Sequence, residues 1–192
     1  MNYATTIELP VPSEQTDKRA PMAAAPIVYN EDQSVAWERM WDSFCVLASA
    51  GGPPHRSTQL MPQVDADINS PGYRIAIEEI SRGIRLVSGL KAQSAAEPGW
   101  LAVTCDSSNQ ARWLSDQINL ENVQARYVGN IFYVPVGEYF TLKGEIKNVI
   151  TAVAKTTHYW EEHLASQIKA ALVWEERFKA VTSQLKSWLG RA

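Results

Sequence analysis

Residues 100–136 read WLAVTCDSSNQARWLSDQINLENVQARYVGNIFYVPV, and the fold turns on how they are parsed. Trp100–Cys105 is an apolar run of strand length. Asp106-Ser107-Ser108-Asn109 then offers helix-capping side chains, and Ala111, Leu114 and Ile118 recur at helical spacing behind them. Val123–Val128 and Ile131–Val136 are rich in β-formers and are separated by Gly129-Asn130, a two-residue hairpin signal. Pro135 has no N–H to give a ladder, so the last strand must lie at an edge or end there. Two Ser and a capped helix after a strand also suit a ligand-holding β-α turn, although capping accounts for both hydroxyls.

Downstream, a long helix from Leu142 carries Ile146, Val149, Ile150, Val153, Thr157, Trp160 and Leu164 on one face. A closing helix carries Ile168, Leu172, Phe178, Val181, Leu185 and Trp188. Upstream, Tyr73, Ala76, Ile77, Ile80, Ile84 and Val87 mark a helix that stops near Gly89, with Gln93–Gly99 as a loop. An earlier helix starts at Ser34, carries Trp37, Met40, Trp41, Phe44, Cys45 and Ala48, and is ended by Gly51-Gly52-Pro53-Pro54. Residues 57–71 are a long polar loop, of a length that is often functional or mobile.

These elements predict an α+β fold. A helical N-terminal part precedes a β-α-β-β-α unit, a small three-stranded sheet covered by helices, and a C-terminal amphipathic helix follows. The unit is most of a ferredoxin-like split β-α-β arrangement without its closing strand. The division is 1–33 as a disordered or extended tail, 34–165 as the α+β domain and 166–192 as the amphipathic helix. The tail holds Pro10, Pro12, Pro21 and Pro26, and its patch Ile7-Glu8-Leu9-Pro10-Val11-Pro12 is suited to docking as an extended strand.

Composition bounds the function. The chain has 192 residues, 45% hydrophobic and 20% charged, enough to bury a core. Its seven Trp favour partner contact, because Trp combines a large apolar face with a donor. A net charge of −3 makes nucleic acid the least supported partner. Lys169, Arg177, Lys179, Lys186 and Arg191 against Glu175 and Glu176 give the closing helix a mildly basic character. Cys45 and Cys105 stand outside any metal or redox spacing, which predicts buried thiols in a reducing compartment. No run reaches the ~18 apolar residues of a membrane span. The N-terminus lacks the basic start and apolar run of a signal peptide, so the expectation is a soluble cytoplasmic chain.

Three constellations carry candidate chemistry. Gly51-Gly52-Pro53-Pro54-His55-Arg56 holds His55 and Arg56 at a stiff helix exit, where they suit an anionic group. It lacks the GxxxxGK[ST] pattern of a phosphate loop. Arg74 sits in the first turn of the helix after Ser70-Pro71-Gly72, where helix N–H groups also attract anions. If the 57–71 loop folds back, Arg56 and Arg74 converge. Lys147, Thr151, Lys155, His158 and Glu162 form a polar stripe on the long helix, with Lys155 and His158 as catalytic candidates. A solvated face is the plainer account of that stripe. His158 and His163 point apart, and no His or Cys set has metal spacing, so no metal site is expected.

No motif indicates a cofactor or a catalytic set. The leading expectation is an interaction or accessory protein, a homo-oligomer or small subunit of a larger assembly, with Phe178, Leu185 and Trp188 as interface candidates. The alternative is an enzyme or sensor that holds a small anionic metabolite through His55, Arg56 and Arg74.

Overall fold

Ser70 and Pro71 set the start of the first long helix. The Ser70 hydroxyl accepts the Tyr73 N–H at 3.1 Å, and Pro71 occupies the first turn, where its missing N–H is not needed. This helix, α1 (Pro71–Ser88), ends at Gly89, whose φ of 69° closes the last turn on Arg85. The computed structural model describes residues 27–39, 57–164 and 168. Four expected features therefore lie outside the described residues: the tail up to residue 26, most of the first helix, the Gly51–Arg56 stretch, and nearly all of the closing helix.

After α1 come β1 (Lys91–Ser94), β2 (Trp100–Thr104), α2 (Ser108–Leu120), β3 (Arg126–Val128) and β4 (Ile131–Pro135). A helical run then starts with a π-helical turn at Leu142–Ile146, continues as α3 (Lys147–His158) and ends in another at Tyr159–His163. The strands form one sheet in the order β1-β2-β4-β3, with every neighbouring pair antiparallel. β2 and β3 are thus parallel to each other with β4 between them, a split β-α-β unit.

The fold is α+β as expected, but the sheet has four strands where three were predicted. Beside β2, the place that a ferredoxin-like unit fills with a strand after its last helix is taken by β1, which arrives from α1. Its sequence, Lys-Ala-Gln-Ser, gave no strand signal because none of its side chains is fully buried and it lies at an edge. The Val123–Val128 run also divides. Only Arg126–Val128 pairs with β4, while Val123 makes a parallel bridge to Leu60. Gly129 and Asn130 make the turn into β4, with Gly129 at φ 59°, a conformation that costs glycine little.

One face of the sheet carries the core. Leu101 and Val103 of β2 and Phe132 and Val134 of β4 are fully buried there. Ala76, Ile80 and Ile84 of α1 join this cluster, with Ala111, Leu114 and Ile118 of α2. α3 packs against both α1 and α2 through Val149, Ile150 and Val153. Each buried Ile or Leu removes enough apolar surface to contribute ~1.5–3 kcal/mol. Trp113 of α2 stacks on Tyr159 at 6.0 Å and tilts against Trp160 at 5.4 Å, fixing the far end of the helical run.

Two segments tie in from outside the unit. Residues 27–36 turn back on themselves, with Ala36 N–H donating to Val28 at 2.9 Å. The Trp37 indole then donates to Glu79 at 2.7 Å, and Arg82 donates to the Val35 carbonyl at 2.9 Å. The 57–70 segment crosses the end of the sheet. Leu60 bonds to Asn122 and Gln124, and Gln63 exchanges hydrogen bonds with Glu138 at 3.0 Å. Among the described residues no helix is long and apolar enough to cross a membrane.

α1 and α3 meet at Gly83, where a Cβ would stand 2.3 Å from Ile150 Cδ1. Gly83→Ala is expected to lower stability by ~1–3 kcal/mol through overpacking, against the ~1 kcal/mol that Ala adds as a helix former. Adding Ile150→Val removes the nearest methyl and should recover part of the loss. Urea unfolding midpoints of the three variants measure this.

Candidate functional site

The β1–β2 hairpin returns to the start of α1, and a cleft of about 300 Å³ lies between them. Tyr73, Arg74, Ile77 and Glu78 form its helical wall, Ser94, Ala95, Ala96 and Pro98 the hairpin wall, and Ile68 stands at its rim. The inner wall is rigid. Tyr73 is only 2% exposed, and its hydroxyl accepts the Gly99 N–H at 3.0 Å. Gly99 has φ +84°, and a Cβ there would come within 2.8 Å of the Gln63 backbone, so the hairpin base is pressed onto the 57–70 segment.

Arg74 and Glu78 lie one helical turn apart and are both exposed. Among the described residues, neither side chain is held by an ion pair or hydrogen bond. The Tyr73 N–H is taken by Ser70, so anion attraction at this helix start falls mainly to the Arg74 guanidinium. The cleft thus offers one cation, one anion and an apolar floor.

The other site candidates are placed as follows. His55, Arg56, Phe178, Leu185 and Trp188 lie outside the described residues. Lys155 and His158 are on α3, and neither lines the cleft with Arg74. The Lys155 ammonium pairs with Glu121 at the C-terminal end of α2, with their side chains 12% and 10% exposed. His158 Nδ1 stands 3.4 Å from Glu162 Oε1.

The stripe holding these residues is largely covered rather than solvated. Lys147 and Thr151 are buried, and burial draws the Lys147 ammonium below its usual pKa. Helical spacing shows which residues share a face but not what packs on it; here Glu121 meets the stripe.

Cys105 follows β2 and is buried. Burial, with Asp106 beside it, pushes its thiol up to about 12, so it carries little thiolate at neutral pH. Among the described residues no group of three or more His, Cys, Asp or Glu is placed to hold a metal ion. On the sheet face away from the helices, the Arg126 guanidinium lies 4.5 Å from the Trp100 ring centre and 5.1 Å from that of Tyr133, and pairs with Glu97. Trp100 is only 5% exposed beneath Arg126, whose side chain and that of Glu97 stay exposed.

Sequence reasoning singled out Arg74 but not Glu78, Ile68, Ile77 or the hairpin wall. The i,i+4 charge pair on α1 was the available signal. The hairpin opposite it had none, because its residues read as loop. No family model, curated protein or solved structure matches this chain.

Two expectations follow. Lys155→Met removes the ammonium paired with the buried Glu121 carboxylate and should cost ~3–5 kcal/mol, whereas Lys155→Met with Glu121→Leu should cost much less. Denaturant titration of the single and double variants measures the coupling. The Cys105 pKa rises from 9.0 unfolded to about 12 folded. The protonated thiol's share of stability is therefore complete below pH 9 and lost as pH rises from there toward 12. Cys105→Ala should flatten that alkaline loss, read from unfolding midpoints across the range.

Proposed function

We propose that this chain is an interaction or accessory protein that docks a polypeptide partner on the α1–β1 side. The observation that supports this reading is the cleft beside an edge strand. β1 pairs only with β2 among the described residues, and the cleft opens next to it. Ile68 adds exposed apolar surface at the mouth of the cleft, at 52%. An exposed Ile at the mouth of a formed cleft gives a partner apolar surface to cover.

Cross-linking in native extract, followed by recovery of the full chain, tests the reading. The expected result is a defined partner whose cross-links include Lys91. Ile68→Glu, a surface change with little effect on stability, should reduce that capture several-fold. A chain that cross-links to no protein, or a partner retained undiminished by Ile68→Glu, overturns it.

Arg74 favours a second reading, a sensor or enzyme for a small anionic metabolite. Its guanidinium is exposed in the cleft and suited to a carboxylate or phosphate. A thermal-shift panel of carboxylates, phosphates and nucleotides tests this. A ligand at 100 times its Kd should stabilise the chain by ~2.7 kcal/mol, and Arg74→Ala should abolish the shift. No shift across the panel removes the reading.

A further inference from the structure

Ala95 donates its N–H to the Trp100 carbonyl at 3.1 Å, so these two form a hydrogen-bonded pair of the β1–β2 ladder. Alternation along an antiparallel ladder turns the N–H and C=O groups of Ala92 and Ser94 away from β2. They point out over the sheet edge, and among the described residues no strand meets them. Ala92 stands opposite Val103, and Ser94 opposite Leu101. Their side chains therefore share the sheet face that α1 covers. A strand added at this edge places its residues opposite Ala92 and Ser94 on that same face, and the one opposite Ser94 lies beside the cleft.

The spacing of the helical wall fits such a strand. The start of α1 lies beside the end of β1, so the two run in opposite directions. Arg74 and Glu78 are separated by about 6 Å along the helix. Residues i and i+2 of a strand share a face and are about 6.6 Å apart. One side chain of an added strand can thus meet Arg74 while the one two places along meets Glu78. Neither α1 charge has a competing partner among the described residues.

Resting on the interaction reading above, we propose that β1 takes a short extended peptide by strand addition. The peptide carries a carboxylate side chain that pairs with Arg74 and, two residues along, a cationic side chain that pairs with Glu78. A second copy of this chain is the less fitting occupant. β1 has four residues, of which two direct backbone groups outward, so an edge-to-edge pair buries far less than the ~1,200–2,000 Å² of a stable interface. A peptide also uses the flanking cleft, which a flat edge-to-edge pair does not.

The test uses the full chain and three pools of synthetic heptapeptides with otherwise randomised apolar and Thr positions. Their central triplets are Glu-x-Lys, Lys-x-Glu and Ala-x-Ala. One charged pool should bind at least ~tenfold more tightly than Ala-x-Ala, which is about 1.4 kcal/mol. It should also slow amide exchange at Ala92 and Ser94. Arg74→Glu with Glu78→Arg should transfer the preference to the other charged pool, a reversal that loss of fold cannot produce. Three results overturn the proposal: no charged-pool preference, binding without protection at Ala92 and Ser94, or a preference indifferent to the charge exchange. Protection of those amides in the protein alone, rising with concentration, assigns the edge to a second copy and also overturns it. If a partner is captured through Ile68 while the pools fail, strand addition falls and the interaction reading stands. If both fail, both fall.

Discussion

The hydrogen bond from the Gly99 N–H to the buried Tyr73 hydroxyl holds the cleft side of the molecule together. Tyr73 is in the first turn of α1, and Gly99 precedes β2, so one 3.0 Å contact fixes the helix start against the hairpin base. A buried N–H left without a partner costs ~1–3 kcal/mol, which makes the contact hard to replace. Gln63 lies against Gly99 from the other side and is itself locked to Glu138. The cleft therefore has a rigid inner wall, built from three segments distant in sequence.

The same constraint explains why the fold was only partly legible. β2 and β4 declare themselves through apolar runs and the Gly129-Asn130 turn, because both lie in the middle of the sheet and bury a face. α1 declares itself through period 3.6 and a terminal glycine. β1 has neither kind of signal: it is a strand because β2 offers it a ladder, and Lys, Gln and Ser tolerate an exposed edge. Val123 looked like part of β3 because its type suits a strand. The bridge it makes is to Leu60, and nothing local announces a partner that far away.

The candidate site divides in the same way. Arg74 was visible because a cation near a capped helix start has a clear chemical use. Glu78, one turn further on, had only its i,i+4 spacing from Arg74 as a signal, and the hairpin it faces reads as loop. The α3 stripe shows the converse. Lys147, Thr151, Lys155 and His158 share a face in sequence, yet that face is closed by packing, and Lys155 is engaged by Glu121. Periodicity reports direction on a helix; burial depends on the neighbour, which a single sequence does not name.

An open strand edge is hazardous, since its unpaired backbone accepts any extended chain. Here the edge is blunted in two ways: β1 is four residues long, and Lys91 projects from it exposed. Those features limit backbone affinity, because two outward-facing residues offer four hydrogen bonds, each worth a net ~0.5–1.5 kcal/mol before the cost of ordering a peptide. The backbone alone then holds almost nothing. Any selectivity at this edge must come from side chains that reach α1, where Ile77 supplies apolar contact and Arg74 and Glu78 supply charge. A short edge beside a charged cleft is thus one arrangement with two consequences: it resists indiscriminate pairing, and it leaves discrimination between extended chains to the helix.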